Sequence, residues 1–392
     1  MRPEAFSPRS PGRLVSIGQG AYAFVPDPLP PPLEWTPPLV RLLDEARGNL
    51  GELAGLLHTL PNPYLFIRPF IRKEAVLSSR IEGTQASLVD VYAMEAQAPL
   101  FPNPNLREDA QEVLNYIRAL ERGRALLKEL PLSLRLLKEM HAVLLQGVRG
   151  QNRAPGEFRR AQNWIGPPGC TLAEARYVPP PPGPMLEALD ALERFWHSDH
   201  GLPPLVEIAL VHYQFEAIHP FLDGNGRIGR LLITLMLLER NLLPEPALYL
   251  SAYFERHRSQ YYDLLLRVSQ TGDWMSWIVF FLKGVKTEAK DATQKAQRLI
   301  ALRQNWRQIY QDKGGSAHLL ALIDLLFEQP VLTASIVRER LEVTHAWAMR
   351  LIGRLVEDGI LTPLSQARRN RLYGAREILQ TLEEPSHAEE AH

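Results

Sequence analysis

The sequence predicts a mainly α-helical protein with one β-hairpin excursion and a small mixed α+β part near its C-terminal end. Three observations predict this. Apolar residues recur at helical spacing through 205–218, and 228–239 is apolar on nearly every face, as a central buried helix reads. Between Phe158 and Pro182, short β-prone stretches alternate with Pro and Gly, the pattern of a hairpin. From 316 to 382 the pattern changes to short amphipathic helices followed by two short strand-like runs.

In chain order, prolines punctuate the sequence. Residues 26–38 form an extended, proline-rich lead-in, and a helix from about Pro69 ends near Gly83, which suits a helix C-cap. A second proline-rich stretch, 99–104, separates this region from the core of the chain. Pro220 disfavours helical geometry at His219, so the helix over 205–218 should stop there and present the imidazole at a loop mouth. Residues 286–312 are polar, charged and free of proline, which predicts a connecting helix. Beyond it, helices are expected over 319–327, over 333–341 with a Thr cap, and from the turn at 342–344 to about Glu357. Gly359-Ile360-Leu361 and Arg371-Leu372-Tyr373 should pair as strands. No internal repeat is evident.

Composition narrows the function classes. With 392 residues the chain can hold two or three domains, and 44 Lys+Arg balance 44 Asp+Glu, so no global field draws it to nucleic acid or membrane. The single cysteine, Cys170, excludes an intramolecular disulfide and suits a reducing cytoplasm. The first 20 residues lack an apolar core of the signal-peptide type, and the apolar stretches 231–243 and 274–285 are too short or too interrupted by charge to span a bilayer. Cytoplasmic localisation without membrane association is the expectation.

The chemistry concentrates in one run, His219-Pro220-Phe221-Leu222-Asp223-Gly224-Asn225-Gly226-Arg227-Ile228-Gly229-Arg230. Gly224 and Gly226 allow backbone angles closed to other residues, so successive amides can curl around an anion. The helix that comes next adds its N-terminal amides and the positive end of its dipole, where phosphate is favoured. Arg227 and Arg230 lie three apart and can serve further phosphate oxygens. Asp223 is a hard oxygen ligand beside this cradle and suits Mg²⁺. An imidazole, with a reference pKa of about 6.5, is available near neutral pH to take a proton from a hydroxyl.

This run resembles the Fic family motif, His-Pro-Phe-x-Asp-Gly-Asn-Gly-Arg-x-x-Arg, at every specified position. The resemblance implies a Fic-type helical bundle with a β-hairpin flap, and transfer of a nucleotidyl group, usually AMP from ATP, to a hydroxyl side chain of a target protein or of the enzyme itself. It implies His219 as general base and Asp223 as the Mg²⁺ ligand. By the same resemblance Gly224, Asn225, Gly226 and Arg227 cradle the α- and β-phosphates and Arg230 clamps the γ-phosphate. The related Doc-type kinases carry lysine at the position of Gly226 and lack the last arginine, so the intact arginine pair favours adenylyl over phosphoryl transfer. Transfer of UMP or a phosphocholine-type group is the less favoured alternative.

Upstream, Ser78-Ser79-Arg80-Ile81-Glu82-Gly83 resembles the family's inhibitory pattern, Ser/Thr-x-x-x-Glu-Gly/Asn. The resemblance implies that Ser78, Glu82 and Gly83 end an inhibitory helix whose Glu82 pairs with Arg230 and takes the place of the γ-phosphate. In some relatives the same Glu serves removal of AMP, and that alternative stays open. The excursion after Phe158 resembles the flap that docks a target segment by strand-like pairing, with Ile165, Gly166, Tyr177 and Val178 as docking residues. Tyr253, Tyr261 and Tyr262 lie in a helical, aromatic-rich region, and Tyr253 and Tyr262 are candidate adenine contacts.

The C-terminal pattern resembles a winged helix, with His345, Arg350 and Arg354 on its third helix and Arg368, Arg369 and Arg371 in the wing. It could read DNA or serve protein docking and homodimerisation; both stay open. The expected organisation is an N-terminal helical region with the inhibitory helix over 1–110, a Fic core over 111–285, a linker helix over 286–315, the winged-helix domain over 316–382 and a disordered tail over 383–392. The function expected is an autoinhibited protein adenylyltransferase that uses ATP and Mg²⁺. The alternative is a DNA-binding regulator whose Fic core senses nucleotide.

Overall fold

The computed structural model describes the chain apart from residues 2, 19, 61, 97–103, 168, 366–369 and 385–392. A hairpin, β1 (Gly12–Ser16) and β2 (Tyr22–Pro26), leads into helices α1 (Pro37–Thr59), α2 (Tyr64–Ile81), α3 (Leu88–Glu95), α4 (Pro104–Leu127) and α5 (Leu134–Leu144). After the excursion come α6 (Pro182–His197), α7 (Pro204–Ile218), α8 (Asn225–Glu239), α9 (Ser251–Arg256), α10 (Arg258–Thr271) and the long α11 (Trp274–Asp312). The C-terminal part runs α12 (Ala317–Glu328), β3 (Val331–Leu332), α13 (Ala334–Arg340), α14 (His345–Glu357), β4 (Leu361–Pro363), β5 (Tyr373–Ala375) and α15 (Arg376–Glu383).

The chain forms two compact units, each discontinuous in sequence. The first comprises Met1–Gly48, Arg118–Leu242 and Tyr253–Lys286, and the second Asn49–Ile117, Leu243–Ala252 and Thr287–His392. The boundaries expected near 110 and 285 fall inside α4 and α11, and the connecting helix expected over 286–312 is the continuation of the apolar stretch that opens α11.

In the first unit α7 is the central element. Every residue from Leu205 to Ile218 except Glu216 is buried. It packs on α6, α8, α10 and β2, while α5 packs on α8. Trp277 of α11 anchors the bundle by donating its indole N–H to the Ala209 carbonyl (2.8 Å). The β1–β2 hairpin was not anticipated: its strands pair antiparallel, with Leu14 opposite Phe24, across a turn in which Gly18 and Gly20 take positive φ (90° and 72°).

In the second unit α2 packs on α3, α12 and α15, with Phe66 against Phe327. The helix starts at Tyr64, five residues before the predicted Pro69. Pro69 removes one early hydrogen bond, yet Phe66, Ile67, Phe70 and Ile71 form an apolar face that is buried and extends the helix through it. Its end agrees with the sequence: Gly83 takes φ 106°, its N–H reaches the Arg80 carbonyl and the Thr84 N–H the Ser79 carbonyl.

The C-terminal segment holds a three-stranded antiparallel sheet in the order β3-β5-β4. Thr333 and Thr344 cap α13 and α14 through the amides of Ile336 and Trp347. Both strands begin two residues later than predicted; for β4 the reason is that Gly359 takes φ 76° and the Ile360 N–H turns back to the Leu355 carbonyl to close α14. Arg368 and Arg369 lie outside the described residues, as do residues 99–103 of the second proline-rich stretch and the end of the tail.

Candidate active site

α7 stops where Pro220 requires, and His219 itself adopts the left-handed region (φ 49°, ψ 62°), its N–H bonded to the Phe215 carbonyl at 3.0 Å. A non-glycine residue there carries strain of about 1–2 kcal/mol, so the loop must hold it in place. The imidazole is thereby half-buried at the end of a fully packed helix.

The loop closes on itself through Asn225. Its Oδ1 accepts from the Phe221 N–H and its Nδ2 donates to the Phe221 carbonyl, both at 2.8 Å. The Asn225 side chain is therefore engaged by the backbone turn, and its main-chain N–H belongs to the first turn of α8. Gly224 uses the left-handed freedom expected of it (φ 79°) as the N-cap, whereas Gly226 sits inside the first helical turn and does not bend the chain.

Phosphate-seeking groups cluster at this terminus. The first turn of an α-helix leaves amides without intrahelical acceptors, and Arg227 and Arg230 rise from it, each 2% exposed. Arg227 Nη2 stands 3.5 Å from Asp223 Oδ1, and the Asp223 side chain retains 38% of its accessibility. The Asp223 carboxylate lies against Gly150, where a Cβ would meet Oδ2 at 2.7 Å. An accessible carboxylate beside a helix N-terminus has the chemistry to suit Mg²⁺, which commonly takes one or two carboxylates and completes its shell with phosphate oxygens and water.

Two buried histidines, unremarked in the sequence, buttress the loop. His141 of α5 stacks on Phe221 (3.8 Å between centroids, 11° between planes). Its Nδ1 accepts from the Gly156 N–H and its Nε2 donates to the Asp223 carbonyl, both at 2.9 Å, which fixes the neutral tautomer. Burial pushes its pKa down to about 4. His212 of α7 donates from Nδ1 to the Gly229 carbonyl (3.1 Å) and accepts at Nε2 from the Tyr261 hydroxyl (2.8 Å). Burial, with the charge of Arg230 as a lesser cause, lowers its pKa to about 3. A Cβ at Gly229 would lie 2.3 Å from Glu216 Oε1 and 3.3 Å from the His212 ring, so the Glu216 side chain would have to turn away.

The excursion after Phe158 is less regular than the predicted hairpin. Gly and Pro reduce the pairing to one antiparallel bridge, Ile165 with Tyr177, and residues 172–174 form a short 3₁₀ turn. Ile165 and Gly166 are exposed. Tyr177 and Val178 are not: Tyr177 donates its hydroxyl to the Ala217 carbonyl (2.8 Å), and the Val178 carbonyl accepts from Phe24 of β2. The side chains of these two residues therefore anchor the base of the excursion.

Among the tyrosines, Tyr253 is buried against His257 and Phe280 (centroids 4.4 and 5.1 Å), the packing of a core residue. Tyr261 reaches the start of α8 through His212, while Tyr262 is half-buried with the Arg258 guanidinium 6.0 Å from its ring. In the second unit Ser78 is fully buried and Glu82 half-buried at the end of α2. On α14, His345, Arg350 and Arg354 are exposed, with Arg354 paired to Asp358 at 2.9 Å. Among the described residues no helix is long and apolar enough to cross a membrane.

Residues 131–237 match the model of the Fic/DOC family, and residues 40–125 match that of the Fic/DOC family N-terminal region. The protein adenylyltransferase Fic of Drosophila mojavensis is 29% identical over 254 residues, 62% of this chain and 47% of that protein. Its counterpart in Drosophila grimshawi is 31% identical over 251 residues, 62% of this chain and 48% of that one. The chain thus spans about half the length of the curated relatives it matches. A Fic family protein from Desulfovibrio desulfuricans G20 shares the fold with a TM-score of 0.56 at 22% identity, over 88% of this chain and 98% of that chain. Fic-1 from C. elegans does so with a TM-score of 0.52 at 22% identity, over 68% and 75%.

Proposed function

We propose that this chain, which belongs to the Fic/DOC family, is a protein adenylyltransferase that moves AMP from ATP to a Ser, Thr or Tyr hydroxyl of a target protein or of itself. One observation carries the reading: His219 is held at the end of α7 in a left-handed turn, and the same short loop delivers the chain to a helix N-terminus bearing two buried arginines. The names of the matched relatives support the same activity.

In this reading the target hydroxyl oxygen attacks the α-phosphorus, its proton passes to the His219 imidazole, and the bond to the leaving pyrophosphate breaks. The N-terminal amides of α8, with Gly224, Gly226 and Arg227, hold the α- and β-phosphates, and Arg230 holds the γ-phosphate. Asn225 contributes its main-chain N–H and keeps the loop closed. Asp223 would hold Mg²⁺, which would supply positive charge against the phosphates. Ile165 and Gly166, exposed, with Tyr177 and Val178 behind them, offer main-chain groups to a target segment, and Tyr253 and Tyr262 are the candidates at the adenine.

Restraint by Glu82, acting on Arg230, is the finer part of the proposal and rests on the Ser78–Gly83 motif. For the C-terminal part, the order of helices and strands and the exposed His345, Arg350 and Arg354 support a winged helix open to DNA or a protein partner.

The test is incubation with ATP labelled at the α-phosphate. Label should enter protein, and His219→Ala should reduce it about a hundredfold or more while nucleotide still binds. Wild-type and His219→Ala proteins that label within about threefold of one another would remove His219 as the base.

A further inference from the structure

The C-terminal end of α7 poses a problem that the motif does not solve. A helix end leaves its last carbonyls without intrahelical partners, and here they are followed by a strained loop. All five consecutive carbonyls from Ala217 to Phe221 receive donors from the stretch between Arg159 and Tyr177. The Tyr177 hydroxyl serves Ala217 (2.8 Å), and the Arg159 guanidinium serves Ile218 (3.4 Å) and His219 (2.9 Å). The Arg159 N–H serves Pro220 and the Asn163 side chain serves Phe221, both at 2.9 Å.

Arg159 is the centre of this arrangement. Its guanidinium also donates to the carbonyls of Ala161 and Pro180, so one buried cation, 2% exposed, joins the two ends of the flap to the carbonyl of His219 itself. A planar fork of five N–H donors can span that set; an ammonium cannot. Burial lowers its pKa only to about 10, so it remains charged.

We infer that Arg159 is a positioning residue for the transfer reaction, fixing the left-handed turn of His219 and tying it to the root of the flap that would receive the target. The inference rests on the transfer reading above. A shift of the imidazole by about 1 Å from its productive place costs on the order of a hundredfold in rate, whereas the phosphate site, on the other side of the loop, stays intact.

Arg159→Lys tests it, since lysine keeps the charge and most of the stem. Three readouts are taken on the full chain: AMP transfer, affinity for ATP, and the imidazole cross-peak of His219 in histidine-labelled protein, identified by its loss in His219→Ala. The expected result is a kcat lowered about tenfold or more, an ATP affinity within about twofold of wild type, and a displaced His219 cross-peak. An unchanged kcat and cross-peak, or a loss carried wholly by KM for ATP, overturns the inference. If Arg159→Lys does not fold, Arg159→Gln, which shortens the fork and removes its charge, is read the same way beside Tyr177→Phe, which releases the Ala217 carbonyl of the same set; an unmoved cross-peak in both overturns it. A wild type that transfers no AMP refutes the transfer reading, and the cross-peak still decides whether Arg159 positions His219.

Discussion

Lowering the pH from 7 to 5 should destabilise the first unit markedly, and His212→Gln should remove much of that sensitivity. His212 is buried, its Nδ1–H is given to Gly229 and its Nε2 accepts from Tyr261, with Phe254 and Trp277 against its ring and Arg230 as the charge that opposes protonation. Its folded pKa is about 3, and an unfolded histidine titrates near 6.5. Between those values the unfolded chain binds a proton that the folded chain does not, so the stabilisation is complete above about pH 6.5 and is lost progressively as pH falls. From 6.5 to 5 the loss is about 2 kcal/mol, at roughly 1.4 kcal/mol per unit of pH. For a unit of this size that corresponds to about 4–8 °C in Tm. Urea unfolding at pH 7 and pH 5, on wild type and His212→Gln, measures the difference. His141 is present in both proteins and cancels. If the variant loses as much stability as wild type between the two pH values, His212 is not held neutral by its burial and the reasoning fails.

Glu82→Gly should raise labelling about tenfold or more, the equivalent of about 1.4 kcal/mol of lost competition; equal labelling at equal folding would leave the α2 motif a structural feature only. Gly150→Ala places a Cβ 2.7 Å from Asp223 Oδ2 at a φ of 91°, so the Mg²⁺ concentration for half-maximal transfer should rise several-fold, and an unchanged Mg²⁺ titration would separate Gly150 from the carboxylate's placement. Asn225→Ala strands the buried Phe221 N–H while Asn163 still serves the carbonyl, so urea unfolding should show a loss of about 1–3 kcal/mol, and a loss below about 0.5 kcal/mol would mean the loop closes without that bond.

What the sequence made legible was local and periodic. The apolar pattern located α7 and α8, the Pro after His219 marked the helix end, and Thr333 marked a cap that forms, while Thr344, read as part of a turn, caps the next helix. The misses share a cause in long-range hydrogen bonding. Nothing in Phe158-Arg159-Arg160 distinguishes an arginine that collects distant carbonyls from one in solvent, and His141 reads as one residue of an amphipathic helix. The burial of the Tyr177 and Val178 side chains was not legible, because β-propensity carries no information on which side is covered. The β1–β2 hairpin did leave a signal, two short apolar runs around Gly18-Gln19-Gly20, though its partners in α6 and α7 lie far along the chain. The α2 start was masked by Pro69, since tertiary burial of Phe66 and Ile67 outweighs one missing hydrogen bond.

The left-handed backbone of His219 sets stability and activity against each other at a single codon. Glycine would occupy φ 49° without strain and relax the loop, whereas histidine retains the penalty along with the imidazole. A search that rewards thermal tolerance alone would therefore drift toward glycine at this position and discard the imidazole on which the proposed transfer rests. Any stabilisation campaign on this chain has to hold position 219 fixed and look elsewhere for its gains.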